Sequence, residues 1–314
     1  MDFLLLQQLI NGLMLGGVYV MVAVAFTLII GMLNFLNFTI PALFMFAAVL
    51  MWATMTGNLP FGNEALEALF GDANLWIAGI GVSLVVTALI SLVVERFTYR
   101  YMKAKYGDAT EHALPLVSSL GFLIIFEHTV ISAWGSDPLQ ITSPFGNATF
   151  TIGKILFSWP QIISLALSLG IVALLSYIIK STRLGRALRS IAERPDTATL
   201  MGVEVLRIVP VVYVITGLLC AVSGILFTIN YTTIDAYVGD TVATVAIAGM
   251  VLGGLGNVWG AIVGGLLVGV LEVLSIYIVG ADFVKVPIWG LLLLTLVLRP
   301  TGLFGHSRIG KGKF

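Results

Sequence analysis

Residues 75–94 read LWIAGIGVSLVVTALISLVV, a run without one charged side chain, and Arg96, Arg100, Lys103 and Lys105 follow it closely. About 20 mainly apolar residues are what a helix needs to cross the roughly 30 Å hydrocarbon core of a bilayer. Basic residues gather on the cytoplasmic side of such spans. This stretch therefore reads as a transmembrane helix whose C-terminal end lies inside the cell.

The same reading extends in both directions. Leu9–Ile30, Asn34–Met55, Leu114–Trp134, Trp159–Ile179, Ile208–Ile229, Ala261–Val279 and the shorter Val286–Leu298 are further apolar runs, giving eight spans. Thr241–Leu255 is apolar and glycine-rich but holds only 15 residues. At 1.5 Å per residue it reaches only some 22 Å, so a ninth crossing, a tilted helix and a re-entrant segment all stay open. The predicted fold is all-α: a polytopic transmembrane bundle of eight to nine spans in one domain, residues 1–314.

Composition agrees. Of 314 residues 59% are hydrophobic and 10% charged, and the mean hydropathy is +1.05, whereas soluble domains carry about 25% charged residues. The formal net charge is zero, so no field of one sign gathers nucleic acid. A single cysteine, Cys220, excludes an internal disulfide and a thiolate-rich metal site. Met1-Asp2-Phe3 lacks the basic start of a signal peptide, which makes the first run a retained span.

All but Lys154 and Lys285 of the 16 basic residues fall after the third run, in residues 180–207, or in the tail 299–314. These three segments are assigned to the cytoplasm. The loops holding Glu64, Glu67 and Asp72, then Asp137, then Asp235 and Asp240, face out, and Thr56–Asn74 and Gly135–Ser158 have room for a surface helix or hairpin.

Charges at membrane depth cost about 3 kcal/mol on insertion scales and mark function by default. Glu127, His128 and Glu272 stand well inside candidate spans. Glu272 follows Gly269 and Gly265 by three and seven residues, which places it on their helix face, as a lock between helices or a substrate contact. Glu127 and His128 are about 100° apart on a helix and do not face one cavity squarely. Asn34, Asn37 and Thr39, with Pro41, form a polar cluster that either lines a pathway beside an irregular helix start or caps that helix. With His112 in a loop and His306 in the tail, the histidines make no metal site.

Gly256, Gly260 and Gly264 recur every four residues, as do Gly265 and Gly269. Small residues at that spacing let transmembrane helices approach closely. No phosphate-cradling glycine motif occurs, and no catalytic constellation stands at useful spacing.

Between spans five and six, Leu184, Leu188 and Ile191 keep helical spacing while Arg183, Arg186 and Arg189 point elsewhere. That describes a short amphipathic helix at the inner surface. Pro195 then suits a first helical position, Asp196 complements the helix N-terminus and Gly202 suits the stop. A second stub of about two turns follows, a compact element projecting into the cytosol that suggests a docking surface.

Here the sequence resembles a family. Thr182, Gly185-Arg186-Ala187-Leu188-Arg189, Ala192-Glu193, Pro195, Ala198 and Gly202-Val203 are similar to the cytoplasmic loop of branched-chain amino-acid ABC transporter permeases. Gly253-Gly254-Leu255-Gly256-Asn257-Val258-Trp259-Gly260-Ala261, the closing Arg299-Pro300-Thr301-Gly302-Leu303-Phe304-Gly305, and Gln8-Leu9-Ile10-Asn11-Gly12-Leu13 near the start resemble it too. The resemblance implies one of two membrane subunits of an importer in the bacterial inner membrane. Its partners would be a second permease as heterodimer or homodimer, two ATPase subunits that bind ATP and Mg, and an extracytoplasmic solute-binding protein; the chain itself would hold no cofactor. It implies that Arg186, Arg189, Glu193, Arg194, Pro195, Asp196, Ala198, Met201 and Gly202 form the ATPase-coupling element. Where the family shows Asn-Phe-Ala-His-Gly and then an acid, this chain has Asn37-Phe38-Thr39-Ile40-Pro41-Ala42. Branched-chain amino acids are the first expectation for cargo, with urea, short amides, other amino acids or small carboxylates as alternatives. An ion-coupled secondary transporter or channel is the rival mechanism, and a membrane enzyme a distant third.

Overall fold

The computed structural model describes residues 2–60, 62, 75–101, 113–141, 149–152, 155–280 and 283–305. The expectations for Glu64, Glu67, Asp72, Lys103, Lys105, His112, Lys154, His306 and the tail beyond Gly305 lie outside those residues. In order the elements are α1 (Asp2–Leu33), α2 (Thr39–Met55), α3 (Leu75–Glu95) continuing as a π-helix (Arg96–Tyr101), and α4 (Ala113–Trp134). Strands β1 (Leu139–Gln140), β2 (Thr149–Ile152) and β3 (Ile155–Ser158) precede α5 (Trp159–Ser181), α6 (Arg183–Glu193) and α7 (Pro195–Leu200). Then come α8 (Val205–Asn230), β4 (Thr233–Ile234), α9 (Val238–Gly253), α10 (Val258–Val279) and α11 (Lys285–Leu298).

Each apolar run has become a helix. Among the described residues six, α1, α3, α4, α5, α8 and α10, are long and apolar enough to cross a membrane, while α2, α9 and α11 are shorter apolar helices. The fold is an all-α polytopic bundle. Thr241–Gly253 is unbroken and belongs to α9, a continuous helix of 16 residues, while Gly254 and Leu255 fall in the turn that follows. The loop from Gly135 to Ser158 holds the β2–β3 hairpin, and β1 pairs antiparallel with β4.

Two expectations are corrected. The second span does not begin at Asn34. That residue adopts φ 55° in a break between helices, and α2 starts only at Thr39. Pro41 disturbs nothing, because the third residue of a helix has no intrahelical use for the N–H that proline lacks. Gly256 does not share a helix face with Gly260 and Gly264 either. It stands at φ 79° in the turn before α10, a left-handed conformation open to glycine at little cost.

The helices form two compact units. One is built from Met1–Asn34, Ala148–Val203 and Ala243–Phe314, the other from Phe35–Asn147 and Glu204–Val242. In the first, α1 runs along α10 and also packs on α5. Val20 to Phe26 of α1 are fully buried. In the second, α2, α3 and α8 pack against one another and α4 lies on α2. Apolar side chains such as Val85, Leu89 and Val93 on α3 and Val286, Leu293 and Val297 on α11 remain exposed, as lipid-facing positions do.

Glycine makes the first unit possible. α10 is sandwiched through two different faces: Gly260 and Gly264 meet Gly253 and Gly249 of α9, while Gly265 and Gly269 meet Val20 and Gly16 of α1. A Cβ on Gly265 would stand 2.9 Å from the Val20 Cα, and one on Gly16 the same distance from the Leu266 Cα. Both are closer than real side chains come, so these contacts require bare backbone.

The α9–α10 turn is sealed by the end of the chain. Leu303 and Phe304 donate their N–H groups to the Leu252 and Gly253 carbonyls at 2.9 and 3.0 Å, taking up acceptors that end α9 without helical partners. The Asn257 amide donates to the Phe304 carbonyl at 2.9 Å. Its Oδ1 accepts from the Trp259 and Gly260 N–H groups, capping α10.

Candidate functional site

The two helices after α5 are built with local economy. The Thr182 hydroxyl donates to the Ile178 carbonyl at 2.7 Å and accepts from the Gly185 N–H at 3.3 Å, so one residue closes α5 and opens α6. Gly185 presses on the Ile179 carbonyl so closely that a Cβ would overlap it. The Arg189 guanidinium donates to that same carbonyl. Leu188 and Ile191 are buried, and Arg183, Arg186 and Arg189 stand on the exposed side.

Arg194 then turns the chain in extended backbone, and Pro195 opens α7 at its first position. Gly202, at φ 84°, stops it, and the Val203 N–H returns to the Ala198 carbonyl at 3.0 Å. Glu193, Arg194 and Pro195 are exposed, while the Asp196 side chain lies outside the described set. Ala198 points inward, 3% exposed, so it supports the stub rather than presenting a face. What the stub does present is Leu200 and Met201, 87% and 80% exposed. Leu200 was not singled out from the sequence; its signal was its place two residues after Ala198, about 200° round the helix and so on the opposite side.

The polar residues separate into distinct settings. Asn34 is exposed. Asn37 and Thr39 are fully buried. The Asn37 Oδ1 accepts from the Thr39 N–H at 3.0 Å and the Thr39 hydroxyl at 2.6 Å, and its amide donates to the Tyr213 hydroxyl at 3.3 Å. This side chain is committed to starting α2 and tying it to α8. Glu127 is buried on α4 beside the Asp240 carboxyl, with Oε1 unpartnered, whereas His128 is exposed with Nδ1 3.0 Å from the Ile124 carbonyl. Glu272, on α10, takes a hydrogen bond from Tyr19 of α1 and keeps Oε2 buried without a partner.

A further polar seam was not read from the sequence. Ser83, Thr87, Ser91, Glu95 and Thr98 are all buried along α3 and its π-helical end, Glu95 with only 3% exposure. Ser83 donates to the Ala47 carbonyl of α2 at 3.2 Å, and Ser91 to the Tyr213 carbonyl of α8 at 2.5 Å. The four-residue recurrence of Gly79, Ser83, Thr87, Ser91 and Glu95 was its signal, since residues so spaced share a helix face.

A family model described as "Branched-chain amino acid transport system / permease component" matches residues 8–299. The chain is 29% identical over 310 residues to the high-affinity branched-chain amino acid transport system permease protein BraD of Pseudomonas aeruginosa, covering 98% of this chain and 97% of that protein. It is 27% identical over 311 residues to the corresponding permease protein LivH of Escherichia coli, covering 98% and 97%. The fructose import permease protein FrcC of Rhizobium meliloti shares 26% over 285 residues, 79% of this chain and 76% of that one. No solved structure matches the chain. Those matches run from the first span to the last, so the chain belongs to the family of branched-chain amino acid transport system permease components, multi-pass proteins of the inner membrane.

Proposed function

We propose that this permease carries branched-chain amino acids inward as one of two membrane subunits of an ATP-driven importer, both of its compact units belonging to one permease domain. The partners in this reading are a second permease of the same kind, two ATPase subunits holding ATP and Mg, and an extracytoplasmic receptor that delivers the solute. The chain supplies the pathway and no catalytic group.

One observation carries the mechanism: α7 and its C-cap present Leu200 and Met201 almost fully to solvent. Full burial of such a side chain is worth about 2 kcal/mol, so covering both would favour docking. A groove on an ATPase hides them here. Closure of the ATPases on ATP then displaces α7. Because α6 is fastened to the end of α5 through Thr182, Gly185 and Arg189, the displacement is passed into the bundle instead of being lost in a loop.

The cargo assignment rests on the relatives' names and on no side chain of this chain. Asn37 and Thr39, where the family signature differs, are occupied with starting α2, so that difference is consistent with a changed helix start and an unchanged cargo. The experiment is uptake of radiolabelled leucine, isoleucine and valine, with urea and fructose as controls, into vesicles holding the reconstituted complex and its receptor. ATP-dependent uptake of the three amino acids without an ion gradient is the expected result. Uptake by this chain alone, driven by a proton or sodium gradient, would overturn it.

A further inference from the structure

Pro210 lies inside α8. Proline has no N–H to return to the carbonyl four residues earlier and its ring crowds that carbonyl, which is that of Leu206. The missing donor comes from another helix: the Arg100 Nη2 donates to the Leu206 carbonyl at 2.9 Å.

Arg100 reaches this place because α3 ends as a π-helix. Glu95 and Arg100 are five residues apart, and on a regular α-helix they would point about 140° away from each other. The i→i+5 winding of residues Arg96–Tyr101 brings them to one side, and the Arg100 Nε stands 3.8 Å from the Glu95 Oε1. That is too long for a hydrogen bond, so both atoms are buried and unpartnered. The adjacent Thr98 hydroxyl is buried and unpartnered as well. A buried carboxylate left about 1 Å short of a guanidinium whose outer part is exposed is not how a purely structural ion pair is satisfied.

Leu206 also sits in the first turn of α8, and only Met201 to Glu204 separate that turn from α7. We propose that Arg100 is a positioning residue for transport coupling. It holds the proline-weakened start of α8 to the π-helical end of α3, and its guanidinium closes onto Glu95 when the α7–α8 junction is displaced. Movement of the stub is thereby delivered to α3. This inference rests on α7 being the ATPase contact.

The test compares the assembled complex of the parent chain with Arg100→Met, Arg100→Lys, Pro210→Ala and the Arg100→Met/Pro210→Ala pair. It measures both ATP hydrolysis and solute transport. Arg100→Met is expected to lower solute moved per ATP by about tenfold, the fold-change one charge-assisted hydrogen bond carries, with the ATPases still attached. Arg100→Lys, which retains charge and a donor, is expected to recover part of it. Pro210→Ala returns an N–H to the Leu206 carbonyl, so the pair is expected to assemble well and remain uncoupled. Parental coupling in the pair would overturn the proposal, because Arg100 would then merely satisfy a carbonyl. Parental coupling in Arg100→Met, or loss of the complex in both Arg100 variants, would overturn it too. Absence of ATPases from the parent complex would instead overturn the reading of α7, and this inference with it.

Discussion

Replacing Gly269 by alanine adds one carbon where α10 crosses α1. That carbon would lie 2.5 Å from the Gly16 nitrogen and 2.8 Å from the Gly12 carbonyl oxygen, while carbon atoms settle at about 3.5–4.0 Å from their neighbours. Every atom it meets is backbone, so no side-chain rotation relieves the overlap, and α1 must back away by about 1 Å. The shift also loosens Gly12 against Val270 and Gly16 against Leu266, contacts on the same seam. Overpacking costs about 1–3 kcal/mol, and with only backbone to give way the upper end applies; alanine's better helix propensity returns about 1 kcal/mol at most, leaving about 2 kcal/mol. At about 2–4 °C per kcal/mol, the thermal midpoint of the detergent-solubilised protein should fall by several degrees. Gly170→Ala, on α5 with nothing within 4 Å of the added carbon, should hold or raise the midpoint. Thermal unfolding followed by size-exclusion of the surviving protein measures both. An unchanged midpoint for Gly269→Ala, or an equal fall for Gly170→Ala, would refute the claim that close backbone approach holds this seam.

Two further outcomes are expected. Asn257→Ala removes the cap of α10 and the amide that holds the Phe304 carbonyl, and should cost about 1 kcal/mol while making the chain end more open to carboxypeptidase; unaltered proteolysis would contradict the clamp. Glu272→Gln keeps an acceptor for the Tyr19 hydroxyl and should leave the amount of assembled protein unchanged, so a severe loss on size-exclusion would show that the carboxyl itself is required.

The spans were readable because burial in lipid demands long uncharged runs, and nothing else in a sequence looks like residues 75–94. The stops and starts were readable where a residue has one use: Pro195 opens α7 and Gly202 closes it. Asn34 misled because a helix can tolerate an asparagine, and only its φ of 55° reveals the break. Gly256 misled because a period of four continues through a turn as readily as through a helix. Glu95 was passed over since it stands at the end of a span beside Arg96, where a charge ordinarily reaches water; the π-helix that turns Arg100 toward it leaves no mark in composition or spacing. The closing segment and the α9–α10 turn were visible as separate motifs, yet their hydrogen bonds join residues some fifty positions apart, a relation no local pattern encodes.

In the proposed mechanism a motor grips α7. Cysteine placed at Met201, with Cys220 left in place because it is fully buried, would carry a photoactivatable cross-linker into the working complex. A covalent product with an ATPase subunit is expected from position 201, and none from a cysteine placed at the exposed Val297 of α11. A residue 201 that stays free to react with a soluble maleimide, and forms no such product in a complex that still transports, would contradict it.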